Sequence, residues 1–257
     1  MAARKPCRRG LLFAACAGLT GPVLADPVPV APSGVPPQII PAVPEVGVTI
    51  MQMPGSGNQP GTGSGSVGDP TGGGSSPGDG AAYDTMMQQS YGQAAVADAH
   101  QAGINVNALA DIGQAESGFR NVLTANGSSS ATGPWQITTG TFTAINQQYN
   151  LGYSPSDTND PAAQAQVASY IIQDYANAVT QATGQPATVV QTYGAYVFGP
   201  TAGAQMAMAD PTTPLCSFVS ARTLANNNMQ GWTVGQFQQG MAGRLGSTSG
   251  QTVQVSA

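Results

Sequence analysis

Prolines divide this sequence into two parts that cannot share one fold. Residues 26–80 hold eleven of the twenty prolines, and from residue 55 that stretch is also rich in glycine and serine. Such a segment buries too little apolar surface to offset the entropy lost when it is ordered. We therefore predict a disordered Pro/Gly/Ser-rich linker over residues 26–80, and we place the folded part of the chain after it.

The first 25 residues have the pattern of an export signal. Four basic residues precede a short apolar stretch, Leu11–Leu19, and Val23-Leu24-Ala25 fits the small-residue cleavage rule. The stretch is too short to span a bilayer, so we predict a signal peptide over 1–25 and no integral membrane segment after cleavage. The predicted location is periplasmic or secreted. Lipidation at Cys16 would make an outer-membrane lipoprotein, which we rank below simple cleavage.

Removal of the signal would leave a strongly acidic chain. Three arginines and no lysine would remain against twelve acids, for a net charge of −9. This balance argues against nucleic acid as a partner, because phosphate binding needs cations. Cys216 and His100 would be the last cysteine and histidine. We therefore expect neither an intramolecular disulfide in the mature chain nor a zinc cluster, and we predict no metal and no cofactor.

From about Tyr83 the pattern becomes helical, and no strand alternation persists long enough to form a sheet. We predict a mainly α-helical catalytic domain over 81–215, followed by a C-terminal helix and a frayed tail over 216–257. Residues 123–133 are predicted to form a loop or short hairpin. The predicted helices are Tyr83–Ala102, Val106–Ser117 after the cap Asn105, Ala162–Thr183 after the cap Asp160 and Pro161, Pro186 to about Val197, Thr201–Ala209 and Trp232–Leu245.

Glu116 is the acid whose position carries the strongest chemical signal. Leu109, Ile112, Gly113 and Glu116 follow helical i, i+3, i+4, i+7 spacing and therefore share one mostly apolar face. A carboxyl on an inward face is partly desolvated, which favours its neutral form. Such a group can remain protonated near neutral pH and act as a general acid.

Three short motifs in order give this carboxyl a context. They are Glu116-Ser117-Gly118-Phe119, the segment Gly133-Pro134-Trp135-Gln136-Ile137-Thr138-Thr139-Gly140-Thr141-Phe142, and Ala195-Tyr196-Val197-Phe198-Gly199-Pro200. In this order and spacing the chain resembles the soluble lytic transglycosylase (SLT) family, over about residues 100–210. The resemblance implies a lysozyme-like fold and glycan strands of peptidoglycan as the partner and substrate.

The resemblance also implies roles for the matched residues. Glu116 would be the catalytic acid/base, Ser117 and Gln136 would bind the sugar or its acetamido group, and Tyr196 would hydrogen-bond near the carboxyl of Glu116. Trp135 stands where the family has Met and is compatible with stacking on a sugar ring. Pro134, Val197 and Phe198 also depart from the family pattern. Five further tyrosines could line a groove, with nothing in the sequence to choose among them: Tyr149, Tyr153, Tyr170, Tyr175 and Tyr193.

The family's reaction is a lysis that needs one carboxyl. It implies cleavage of the MurNAc-GlcNAc β-1,4 bond by a single Glu acid/base to give 1,6-anhydro-MurNAc ends. Two alternatives stay open: a lysozyme-type muramidase, which would need a second carboxylate such as Asp157 or Asp160, and a non-catalytic peptidoglycan-binding protein. The Pro/Gly linker would also suit a partner in an envelope or secretion apparatus.

Overall fold

The computed structural model describes residues 80–123 and 130–255. The predicted signal peptide and almost all of the predicted linker lie outside the described residues. The described part is mainly helical, as predicted. Its α-helices are α1 Ala81–Met87, α2 Gly92–Gln101, α3 Val106–Ser117, α4 Thr139–Tyr149, α5 Pro161–Thr183, α6 Val189–Phe198, α7 Pro200–Met208, α8 Ala221–Asn226 and α9 Val234–Leu245, with short 3₁₀ turns at Pro155–Asn159 and Leu215–Ser217.

Cap chemistry in the sequence sets the bounds of α3 and α5. Asn105 accepts a hydrogen bond from the backbone N–H of Asn107 at 3.0 Å, and Gly118 ends α3 in the left-handed conformation with φ 62°. Asp160 accepts from the N–H of Ala162 at 3.0 Å, with Pro161 in the first turn of α5. Both predicted helices are confirmed, because their start and stop signals act locally.

Two predicted helices begin or break elsewhere. The helix predicted over Tyr83–Ala102 is two helices, separated by a turn after Met87. A Cβ atom on Gly92 would lie 2.4 Å from the carbonyl oxygen of Met86, so this glycine permits the close turn. The helix predicted to open at Pro186 begins at Val189 instead. Thr188 forms a capping box there with Gln191, which outweighs the proline signal.

The stretch 123–133, predicted to form a loop or short hairpin, contains the first strand of a minimal hairpin. Strands β1 (Ala131–Thr132) and β2 (Ile137–Thr138) pair antiparallel, with Ala131 opposite Thr138. Residues 124–129 lie outside the described part. Helix α4, which the sequence analysis did not predict, follows directly from β2 because the Thr138 side chain caps its first turn. The hairpin therefore lies between α3 and α4 in the chain and leads directly into α4.

The C-terminal tail is folded against the domain, so the prediction that it frays is wrong for residues 246–255. Val253 is buried, its carbonyl accepts from the Asn105 N–H at 2.7 Å, and its N–H donates to the Ala187 carbonyl at 2.9 Å. Backbone pairing of this kind does not depend on an apolar sequence, which explains why the Ser/Thr/Gln composition was misleading. Helix α9 fits its prediction, and the domain boundaries themselves stay predictions.

Helix α3 lies at the centre of the fold. Eleven of its twelve residues are buried, and α1, α2, α5, α6 and α9 all pack against it. Across the described residues, no helix combines the length and apolarity needed to cross a bilayer. The other two cysteines, Cys7 and Cys16, lie in the predicted signal peptide, outside the described residues. The expectation about disulfides concerned the processed chain and stays a prediction.

Candidate active site

Glu116 lies in the last turn of α3 and faces the interior. Its side chain is 2% exposed, and Leu109, Ile112 and Gly113 on the same face are also buried, so the inward face that the spacing predicted is confirmed. Burial raises the pKa of this carboxyl from 4.5 to about 7. At that value the group is divided between its two protonation states near neutral pH, as a group that both donates and accepts a proton requires.

Tyr193 of α6 is the direct partner of this carboxyl. Its hydroxyl donates to Oε1 of Glu116 at 2.9 Å, and both side chains are buried. This hydrogen bond and the nearby charge of Arg244 lower the pKa of Glu116, but less than burial raises it. From the sequence, Tyr193 was one of five tyrosines that nothing distinguished, and Arg244 carried no signal for this site.

Tyr196, predicted to hydrogen-bond near the carboxyl of Glu116, makes its hydrogen bond to a backbone carbonyl and not to the carboxyl itself. One helical turn beyond Tyr193, its hydroxyl donates to the backbone carbonyl of Trp135 at 2.6 Å. The rings of Tyr193 and Tyr196 stack with centroids 6.4 Å apart. Burial, then the charge of Glu116, raises the pKa of Tyr196 well above its usual value. The charge of the Glu116 carboxyl therefore acts on Tyr196, while the Tyr196 hydroxyl holds the Trp135 backbone by a hydrogen bond.

Trp135 is a core residue and not a stacking platform, which corrects its predicted role. The side chain is fully buried, and its Nε1–H donates to the Leu109 carbonyl at 2.9 Å. Tyr91 and Phe119 pack edge-on against the indole at 5.8 and 6.0 Å. A Cβ atom on Gly113 would lie 2.6 Å from Phe119 and 2.9 Å from Trp135, so the glycine admits both rings. These aromatic rings exclude water from the face of α3 one turn before Glu116.

Ser117 joins the two motifs that the sequence analysis had read separately. It is 5% exposed, and its hydroxyl donates to the Pro134 carbonyl at 2.7 Å. Because its single donor is used within the protein, Ser117 holds the Gly133–Gln136 segment against the end of α3. The predicted direct contact of Ser117 with sugar stays untested, and the bond observed here assigns the residue a structural task.

Gln136 presents a buried acceptor with no partner among the described residues. Its Nε2 donates to the Gly133 carbonyl at 2.7 Å, while Oε1 accepts nothing from them. The backbone has φ 49°, a left-handed conformation unusual for a residue other than glycine. Gln136, Tyr196 and Tyr175 line one small cavity together with Ile137, Thr138, Thr141 and Ile171. An unsatisfied buried acceptor of this kind is suited to a donor group on a ligand.

Gln164 supports this segment and was missed. The side chain is fully buried; its Nε2 donates to the carbonyls of Thr132 and Thr158, each at 2.7 Å, and its Oε1 accepts from the Trp135 N–H at 3.4 Å. A Cβ atom on Gly133 would lie 2.3 Å from this amide. The signal was present in the sequence, because Gln164 is a polar residue on the same helical face as Val167 and Ile171.

The remaining candidates have ordinary structural tasks. Asp157 accepts from the Ser154 N–H at 2.8 Å, and Asp160 caps α5, so each of the two possible second carboxylates is engaged at a helix start. His100 is exposed on α2. Within residues 80–123 and 130–255, no group of three potential metal-ligating side chains is found.

Comparison with known proteins bears on the identity of this domain. Residues 93–210 match the family model described as a transglycosylase SLT domain. The matched residues contain α3, the hairpin, α5 and α6, and therefore Glu116, Gln136 and Tyr193. No curated protein sequence matches the chain. The family match confirms the resemblance seen in the three motifs.

Proposed function

Because residues 93–210 are a transglycosylase SLT domain, with the lysozyme-like, peptidoglycan-directed character of that family, we propose that this chain cleaves the MurNAc-GlcNAc β-1,4 bond with Glu116 as its single acid/base. The observation that carries the proposal is the fully buried carboxyl of Glu116, whose pKa is raised to about 7 beside the Tyr193 hydroxyl. A surface carboxyl would be ionised at neutral pH and could not protonate a leaving group.

The first chemical step needs the neutral form of Glu116. The carboxyl gives its proton to the glycosidic oxygen while the bond from that oxygen to C1 of MurNAc breaks. The N-acetyl oxygen of the same sugar assists at C1 from within the substrate. The Tyr193 hydroxyl, 2.9 Å from Oε1, stabilises the carboxylate that this step leaves behind.

The second step uses the carboxylate as a base. The C6 hydroxyl of MurNAc attacks C1, displaces the N-acetyl oxygen from it and gives its proton to Glu116, which regenerates the neutral acid and closes a 1,6-anhydro ring. No water is consumed. Since the substrate supplies the attacking oxygen, a second carboxylate is not required, which agrees with the capping tasks of Asp157 and Asp160.

We assign the orientation of the sugar to Gln136. Its Oε1, which has no partner among the described residues, can accept a hydrogen bond from an acetamido N–H at the small cavity, which supports the role that the family resemblance implied. Pairing that acceptor removes the cost of burying it alone. Ser117, Trp135 and Tyr196 then act by holding the Gly133–Gln136 segment in place.

The proposal extends to where the protein works. Peptidoglycan lies outside the cytoplasm, so an exported protein, periplasmic or secreted, fits the predicted signal peptide and linker. The linker would let the domain reach strands at a distance from an anchoring partner in an envelope or secretion apparatus.

Product analysis tests the reaction. We expect the full chain to digest purified peptidoglycan sacculi and to release muropeptides with 1,6-anhydro ends, identified by mass spectrometry. Glu116→Gln should lower the rate at least about a thousandfold, as expected for loss of the sole general acid. Asp174→Asn is the matched control, because Asp174 also accepts from a tyrosine but is not fully buried.

Each other outcome selects a different function. Reducing ends in place of anhydro ends would identify a lysozyme-type muramidase. Binding to sacculi without any product would identify a non-catalytic peptidoglycan-binding protein. Digestion by Glu116→Gln at the parent rate would remove the assignment of the acid.

A further inference from the structure

Two arginines contact the carboxyl end of α3, beside Glu116. Nη2 of Arg244 donates to the Ala115 carbonyl, and Nε of Arg120 donates to the Ser117 carbonyl at 2.8 Å. The last carbonyls of a helix lack partners within it and carry its partial negative charge, so cations are stabilised there. Two of the three arginines expected in the mature chain are used at this one helix end.

The two arginines come from different parts of the chain. Arg120 is exposed and follows α3 directly, whereas Arg244 is partly buried and belongs to α9. Residue 244 lies beyond the stretch, 93–210, that matches the SLT domain model. Arg244 is therefore a contribution to the site from a segment that the family model does not cover.

The segment that carries Arg244 is attached along the whole length of α3. Oε1 of Gln251 accepts from the side-chain amides of Asn105 and Asn107, each at 2.9 Å, at the start of the helix. The Thr248 hydroxyl donates to Oδ2 of Asp111 at its middle, and Arg244 contacts its end. Buried side chains on α9, Met241 and Leu245, add apolar packing. This succession of contacts fixes where the guanidinium lies.

Among the described residues, charged and titratable groups lie on or next to α3 and on the elements packed around it. From α6, Tyr193 donates to Glu116 and Tyr196 lies one turn beyond; from α9, Arg244 contributes a positive charge. Tyr91 and Tyr175, on neighbouring elements, pack on the rings of Trp135 and Tyr196. On α3 itself, Asp111 accepts from Thr248, and just after the helix Arg120 donates to the Ser117 carbonyl.

We infer that Arg244 is a positioning residue for Glu116: its guanidinium holds the final turn of α3 and supplies the positive charge that stabilises the carboxylate form. The inference rests on the proposed function in taking Glu116 as the acid/base. It follows that the C-terminal segment, residues 211–255, completes the active site, and that the SLT domain alone lacks one of its charges. The effect of the Arg244 charge on the Glu116 carboxyl can be measured without any substrate.

The test is a direct titration of Glu116 in the full chain. The sequence contains two glutamates, Glu45 and Glu116, so ¹³C labelling of glutamate carboxyls gives two NMR signals, and Glu116→Gln identifies which is which. In Arg244→Gln, which keeps a donor but loses the charge, we expect the pKa of Glu116 to rise by about one pH unit. Arg244→Lys keeps the charge and should leave it near the parent value. Arg222→Gln, on the exposed side of α8, is the matched control.

Activity gives the second readout. The alkaline limb of the pH–rate profile should move upward in Arg244→Gln together with the titration, and the rate at pH 7 should fall about tenfold as the carboxyl is held less firmly. A Glu116 pKa unchanged in Arg244→Gln, with only a lower melting temperature, would reduce Arg244 to a helix cap and overturn the inference. If Arg244→Gln unfolds, the titration is repeated with Arg244→Met. If Arg244→Gln and Arg244→Met both unfold while Arg244→Lys folds, the inference is also overturned.

Failure of the inference and failure of the proposed function are distinguishable. A parent chain without activity on sacculi would remove the proposed reaction, whatever the titration shows. An active parent whose Glu116 pKa ignores Arg244 would keep the reaction and remove the role of the arginine.

Discussion

Two pairs of helices in this protein each bring a tyrosine hydroxyl to a carboxyl. Tyr193 of α6 donates to Glu116 of α3 at 2.9 Å, and Tyr149 of α4 donates to Asp174 of α5 at 2.5 Å. The chemical pair is the same, but the surroundings are not. Glu116 is buried at the centre of the fold, whereas Asp174 is only partly buried and also accepts from Gln148 at 3.0 Å.

The difference shows what prepares a carboxyl for acid chemistry here. Burial raises the pKa of both groups, and the tyrosine hydrogen bond lowers it in both. At Asp174 a second hydrogen bond, from Gln148, lowers it further, while at Glu116 complete burial brings the pKa to about 7. The hydrogen bond therefore orients the group, and the dry interior sets its proton affinity.

The largest effect on stability that we expect is a pH dependence of the unfolding free energy. It should be stronger for Glu116 than for Asp174. The folded pKa of Glu116, about 7, lies above the unfolded value of 4.5. The folded state thus binds more protons at Glu116 between these values, so the contribution of Glu116 to stability is fully present below pH 4.5 and is lost as pH rises through 7. Relative to Glu116→Gln, the parent should lose about 3 kcal/mol of unfolding free energy between pH 4 and pH 8.

Urea unfolding at a series of pH values measures this loss. The difference between parent and Glu116→Gln should change with pH, and the difference between parent and Asp174→Asn should change less. Parallel curves for parent and Glu116→Gln would mean that Glu116 titrates as a solvated carboxyl, and the contrast between the two sites would disappear.

The sequence allowed the carboxyl to be located but not its partners. The face of α3 and the caps at Asn105 and Asp160 follow from spacing and local chemistry, and these predictions were confirmed. Whether Tyr193 or Tyr196 meets Glu116 depends on how α6 crosses α3, and the two residues are one turn apart. A single sequence does not contain that angle, because many packed side chains determine it together.

The same reason explains the errors at Trp135 and in the C-terminal tail. An aromatic residue in a loop motif can either stack on a ligand or pack in the core. Trp135 packs in the core because Gly113 leaves space for its ring. The tail is held by contacts such as Gln251 with Asn105, which lie far apart in the sequence. Long-range contacts of this type leave no periodic signal in the chain.

The second prediction concerns the aromatic packing at Gly113, which keeps water away from the face of α3 that carries Glu116. Gly113→Ala would place a methyl group 2.6 Å from Phe119 and 2.9 Å from Trp135, so the rings must shift. We expect a loss of about 2 kcal/mol in unfolding free energy, which is typical of overpacking in a core. Chemical denaturation measures the loss.

Gly243→Ala is the control for the glycine substitution itself. Gly243 lies within α9, and a Cβ atom placed on it would meet no atom of the described residues within 4 Å. Alanine there should therefore stabilise the helix by about 0.5–1 kcal/mol. Equal effects at the two glycines would show that the rings do not close on Gly113, and the account of the dry face would have to be replaced.

The smallest effect that we expect comes from the tyrosines themselves. Tyr193→Phe removes the bond that lowers the pKa of Glu116, so that pKa should rise, and the rate at neutral pH should fall about tenfold, because a net hydrogen bond to a charged group is worth about 1.5 kcal/mol or more. Tyr149→Phe removes the same bond at Asp174 and should leave the rate unchanged. Rates on sacculi across pH compare the two variants. An equal loss in both would mean that the bonds act through overall stability, whereas a loss confined to Tyr193→Phe assigns the hydroxyl to the acid.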